Sequence, residues 1–231
     1  MKNIERALEE IALAREALDR AEDSLVGLPV ADKPVSMITE YVAADGRTYN
    51  LQPLLDEISE GEGTSDERAQ MSGFDSGYDV PFAYGKFAMP PDLLTTMTID
   101  EIYNFQRVQI NATKGKITGT KYGTSACGKF QIIRPTLVNL IERLDMDSAR
   151  VTYNASLQNV LGVELLKDCG LDRWLTGRMS EGDFQVKVAH MWRSVENPND
   201  SYDTMNFPQP VGTTTHEFLT ACEAVLASRI A

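Results

Sequence analysis

Helix-start signals recur along the second half of this chain and leave little room for a sheet-based body. Thr98 and Glu101 stand at capping-box spacing ahead of a helical pattern that runs to about Ala112. Ser180 with Asp183 opens another over Gly182–Val195, and Thr214 with Glu217 a third over His216–Ile230. In each, the hydroxyl can accept a backbone N–H that has no helical partner. Helical patterns also cover Pro135–Leu144, Ala155–Asp168 and Leu171–Trp174, and an earlier one starts at Leu51, with Leu54, Leu55 and Ile58 on one side. Two stretches read differently. VSMITEYVA and RTYNL flank an Asp45-Gly46 turn signal and suggest a short hairpin, and ITGTKYGTSACGKFQII reads as strands and a turn giving way to a helix. The pattern predicts an α+β fold, mostly helical with a small β element.

The N-terminal segment has its own period. Ile4, Ile11, Leu18 and Leu25 recur every seven residues with Ala7, Ala14 and Ala21 between them, started by Asn3 and stopped by Gly27 and Pro29. This predicts a heptad helix over 1–29, followed by a linker or hairpin over 30–50 and a main domain over 51–231. The heptad face, residues 4–26, serves either self-association and docking or packing on its own domain.

Charge narrows the partners. A formal charge of −12 argues against wrapping nucleic acid and against electrostatic capture of any acidic polymer, which would have to be held by shape and hydrogen bonds. No apolar run approaches the ~20 residues that cross a bilayer, so no membrane insertion is expected. The N-terminus, MKNIERALEEIALAREAL, is too charged for a secretory signal, which predicts synthesis in the cytoplasm. Cys127, Cys169 and Cys222 are odd in number and widely spaced, with only His190 and His216 as imidazole partners. They read as free thiols, and neither a metal nor a cofactor is expected.

The stretch ISEGEGTSDE sets Glu62 between Gly61 and Gly63 at a helix end, ahead of an irregular, aromatic-rich segment at 63–97. Loops of that length inside a compact domain are commonly functional. Bare glycines on both sides would clear the approach of a bulky substrate. A glutamate held against apolar surroundings can keep its proton near neutrality and donate it. Asp66, Glu67, Asp75 and Asp79 follow on the same segment, so a second carboxylate remains an open alternative.

Several segments are familiar in order and spacing: LLDEISEGEGTSDE, GYDV, TSACGKFQI, LQNVLGVELL and HMWRSVENP. Together they resemble the phage lambda endolysin family of lysozyme-like, peptidoglycan-cleaving enzymes. The matches are Gly61-Glu62-Gly63-Thr64, Gly77-Tyr78-Asp79-Val80, Gly128-Lys129-Phe130-Gln131 and Trp192-Arg193-Ser194, and the resemblance covers roughly 51–231. Lys129-Phe130 stands where relatives often carry Arg-Tyr, and Cys127 occupies a tight turn.

The resemblance implies a lysozyme-like domain with a glycan cleft and Glu62 as the essential acid/base. It implies lytic transglycosylation between N-acetylmuramic acid and N-acetylglucosamine, with a 1,6-anhydro product and no obligatory second carboxylate. Hydrolysis by a muramidase is the alternative, and it would enlist Asp79. Tyr78, Ser125, Gly128, Phe130, Gln131 and Trp192 are the expected substrate-binding residues, with Glu60 a decoy. Such an enzyme would be a bacteriolytic bacteriophage endolysin acting on periplasmic cell wall, or one carried in a virion. An inactive assembly protein of a virion or secretion apparatus is a further reading.

Overall fold

The computed structural model describes residues 39–117, 121–199 and 212–230; the heptad segment at 1–29 lies outside them. The chain divides after Met37, and the unit that follows is a mostly helical α+β body. Strands β1 (Glu40–Val42) and β2 (Thr48–Asn50) pair antiparallel with Tyr41 opposite Tyr49. Gly46, at φ 80°, makes the turn between them.

This hairpin is part of the body rather than a linker, so the boundary expected at 51 moves back to 38. Tyr49 is fully buried, Tyr41 donates its hydroxyl to Asp172 (3.1 Å), and Thr48 exchanges backbone hydrogen bonds with Ile230.

Helix α1 (Gln52–Gly61) carries Leu54, Leu55, Ile58 and Ser59 on its buried side. It packs against α5 (Ala155–Asp168) and α8 (Thr215–Ala227). Each fully buried Leu or Ile contributes about 1.5–3 kcal/mol, so this face alone is a large share of what fixes α1. The short α2 (Asp66–Met71) and three 3-10 turns occupy the segment that reads as irregular in sequence. Then come α3 (Ile99–Thr113), α4 (Arg134–Arg143), α6 (Leu171–Leu175) and α7 (Glu181–Met191). The capping boxes of Thr98 with Glu101 and Thr214 with Glu217 both form. Trp174 stacks on Phe184 at 4.7 Å, and Phe184 meets Phe218 at 6.1 Å, joining α6, α7 and α8.

The strands expected in 117–133 do not form a ladder among the described residues; Cys127 makes only isolated bridges, to Pro81 and Ile132. Buried glutamines replace the missing strand partners. Gln106 Nε2 on α3 donates to the carbonyls of Ser125 and Ile132 (both 2.9 Å), and Gln109 Nε2 donates to that of Ala126 (2.8 Å). From α5, Gln158 Oε1 accepts the Lys129 N–H (2.9 Å). With its backbone groups satisfied by side chains, this segment stays irregular and buried. The helix expected over Gly182–Val195 ends at Met191, because the buried Trp192 adopts an extended backbone and donates its indole N–H to the Phe130 carbonyl (3.0 Å).

Candidate active site

Glu62 caps the C-terminus of α1. Its own N–H still bonds Ile58 O (2.9 Å), whereas Gly63 N–H turns back to Glu60 O (3.0 Å) and Thr64 N–H to Ser59 O (2.8 Å). That pair of bonds is a Schellman ending, which needs a left-handed residue after the cap. Gly63 supplies it at φ 72°. The turn holds the half-buried Glu62 side chain at a fixed place on a rigid helix.

A second segment closes over it. Beyond Trp192 the chain runs to the fully buried Ser194, whose hydroxyl donates to Glu62 Oε1 at 2.6 Å. The carbonyl of Ser194 accepts N–H bonds from Gly212 (2.8 Å) and Thr213 (3.0 Å), and Thr213 Oγ1 donates to the Glu57 carbonyl (2.9 Å). The two backbones almost touch. A Cβ on Gly61 would sit 2.5 Å from Thr213 Oγ1, and one on Gly212 would sit 2.2 Å from the Gly61 carbonyl oxygen. The absence of a side chain at Gly61 therefore admits the Gly212–Thr213 segment that is hydrogen-bonded to Ser194.

The other expected residues divide by burial. Glu60 pairs with Arg68 (2.5 Å). Burial raises its pKa, but the Ser65 and Arg68 hydrogen bonds and the Arg68 charge outweigh that and hold it below the usual value. Asp79 is buried in a 3-10 turn, where Oδ1 accepts the Thr95 N–H (2.8 Å). Tyr78 is buried, donates to Asn159 Oδ1 (2.8 Å), and lies under Lys129 Nζ at 4.8 Å. Phe130 and Trp192 are core residues, so neither ring is presented to a ligand.

Ser125 accepts the Arg134 N–H (2.8 Å), and a Cβ on Gly128 would strike Gln158 Oε1 at 2.4 Å. Gln131 spends its amide N–H groups on the carbonyls of Val80 (3.2 Å) and Gly128 (3.0 Å). Each of the six expected binding residues is thus engaged in packing or hydrogen bonds within the body. Thr64 Oγ1 hydrogen-bonds the Lys129 carbonyl, a direct tie between the 128–131 segment and the turn after Glu62.

Two residues absent from that set stand at the site. Tyr84 donates its hydroxyl to the carbonyl of Gly63 (2.5 Å) from a turn in which Ala83 and Tyr84 are both left-handed, at φ 50° and 53°. Left-handed non-glycine residues cost about 1–2 kcal/mol each. Ser194 lay within a matched motif, but only the fold shows that its hydroxyl reaches Glu62. Glu57, one turn before Gly61, has its carboxyl pKa raised by burial, opposed by a Thr213 hydrogen bond and reinforced by Glu217 and Glu60.

An open depression of about 330 Å³ is lined by Asp56, Glu57, Glu60, Asp66 and Lys129, and one of about 650 Å³ by Arg173, Arg178, Lys187 and His190 among others; Glu62 lines neither. Among the described residues no group of three His, Cys, Asp or Glu side chains is placed to hold a metal ion, and no helix is long and apolar enough to cross a membrane. No family model, curated protein or solved structure matches this chain.

Proposed function

We propose that the protein cleaves the glycan strands of peptidoglycan as a lytic transglycosylase, with Glu62 as its single acid and base. The observation that carries this reading is the Ser194–Glu62 hydrogen bond, which anchors a half-buried carboxylate on a rigid helix end. The Gly-Glu-Gly-Thr setting and the order of the other motifs supply the substrate class.

In the proposed reaction, protonated Glu62 gives its proton to the glycosidic oxygen as the bond from that oxygen to muramoyl C1 breaks. The Glu62 carboxylate then takes the proton of the muramoyl 6-hydroxyl while that oxygen attacks C1. The product is a 1,6-anhydro sugar, Glu62 ends protonated, and no water is consumed. The Ser194 hydroxyl can donate to Oε1 whether or not Oε2 carries the proton, which leaves Oε2 to exchange that proton with the sugar in both halves of the cycle.

The engagement of Glu60 and Asp79 by other groups favours one acid rather than two. Glu60 is committed to Arg68 and Asp79 to the Thr95 N–H. A hydrolase would instead need a second carboxylate to activate water. The test is Glu62→Gln, which should keep the fold and lower release of soluble fragments from purified peptidoglycan by at least ~10². Glu60→Gln and Glu57→Gln should cost little. Near-normal cleavage by a folded Glu62→Gln protein would remove the reading.

A further inference from the structure

The turn at Ala83–Gly85 is strained where a glycine or asparagine would relieve it. Ala83 (φ 50°, ψ 36°) and Tyr84 (φ 53°, ψ 39°) are both left-handed, and Gly85 follows at φ 77°. Bulky residues rarely adopt this conformation, and strain of this kind concentrates at ligand clamps. Core packing does not demand it, since Ala83 is exposed and Tyr84 is 40% exposed. The feet of the turn are fixed: Phe82 N–H bonds the Ala126 carbonyl (3.2 Å), and Tyr84 N–H bonds that of Pro81 (3.0 Å). Its tip is aimed. The Tyr84 hydroxyl reaches the Gly63 carbonyl, one residue beyond Glu62, while the ring meets Phe74 at 6.5 Å and 38°. Tyr78, Phe130 and Trp192 are buried, which leaves Tyr84 as an accessible aromatic beside the candidate acid. A chain with a charge of −12 cannot attract an acidic glycan by its field and has to hold it by stacking and hydrogen bonds.

We infer that Tyr84 is a sugar platform: its exposed face stacks on an N-acetylhexosamine ring next to the bond presented to Glu62, and its hydroxyl, anchored on Gly63, sets the platform's distance from the acid. This rests on the glycan-cleaving reading above. Tyr84 separates into two roles. The ring binds the sugar, and the phenol oxygen positions the ring.

The test uses the full chain carrying Glu62→Gln, titrated calorimetrically with purified peptidoglycan glycan strands freed of stem peptides. Adding Tyr84→Ala should weaken binding by at least about tenfold, the worth of one well-stacked ring. Tyr84→Leu keeps apolar bulk against Phe74 and should weaken it similarly, so a poorly folding alanine variant would not blunt the test. Tyr84→Phe should bind within about threefold. In the Glu62 background, the same Phe variant should cleave more slowly through kcat rather than KM. If the Ala and Leu variants bind like their parent, the platform is overturned while the glycan reading stands. If the Glu62→Gln parent binds no strands at all, the glycan reading falls and takes the platform with it.

Discussion

The hydroxyl of Ser194 lies 2.6 Å from Oε1 of Glu62, a contact between residues 132 positions apart in the chain. Nothing local places Ser194 there. It depends on the end of α7 at Trp192, on the Trp192 indole bond to Phe130, and on the close passage of Gly212 over Gly61.

Ser194→Ala should therefore lower kcat for peptidoglycan cleavage by about 10–100-fold, the loss expected for one hydrogen bond to a charged group. KM should change little, and Ser194→Thr, which restores a hydroxyl, should recover part of the rate. Turbidity clearance of purified cell walls measures this. A Ser194→Ala protein with wild-type kcat would show that the hydroxyl is structural only.

The glycine contacts make a steric prediction. Gly61→Ala puts a methyl 2.5 Å from Thr213 Oγ1 and 3.2 Å from Ser194 Oγ, so it should destabilise the fold by about 1–3 kcal/mol through overpacking. It should also lower activity by displacing Ser194. Among the described residues Gly63→Ala meets Tyr84 Oη alone, at 3.2 Å, but it must be left-handed and should cost about 1 kcal/mol. Chemical denaturation of both variants checks these values. A neutral Gly61→Ala would mean that Gly61 and Gly212 do not approach this closely.

The helical body was largely legible in the sequence because capping hydroxyls and periodic leucines act locally. Thr98, Ser180 and Thr214 announce their helices within four residues. The hairpin was legible too, from Asp45-Gly46, but its membership of the body was not, since that rests on Tyr41 reaching Asp172 across 131 positions. The strands read around Cys127 failed because Gln106, Gln109 and Gln158 satisfy that backbone from distant helices. Glu62 stood out by its glycine neighbours, although the reason offered for Gly61 was not the one the packing supplies. Tyr84 could have been noticed only as one aromatic among several in 63–97; its left-handed backbone carries no sequence signal.

Tyr41 gives a pH test of the hairpin. Burial, followed by the Asp172 hydrogen bond and the charges of Asp172 and Glu164, raises its pKa from 10.0 to about 12. A group raised on folding stabilises fully below its unfolded value and loses that contribution as pH climbs through the folded one. The stability gap between wild type and Tyr41→Phe should therefore be greatest below pH 10 and close towards pH 12. A gap independent of pH would disconnect Tyr41 ionisation from the fold.

A chain beginning at Thr48 lacks β1, the buried Ala43 and the Tyr41–Asp172 bond, whereas one beginning at Ile38 keeps all three. The shorter chain should melt several degrees lower, the shift expected for about 1–2 kcal/mol in a domain of this size. Equal melting temperatures would return the hairpin to the status of a linker.

Mass spectrometry of the muropeptides released from purified peptidoglycan reports both cleavage and its chemistry in one spectrum. The wild-type chain should release 1,6-anhydromuropeptides, lighter by one water than hydrolysis products, and Asp79→Asn, if folded, should release the same species. Glu62→Gln should release almost none. Reducing-end muropeptides as the dominant product would contradict a single-carboxylate transglycosylase, and undiminished release by Glu62→Gln would contradict the role given to Glu62.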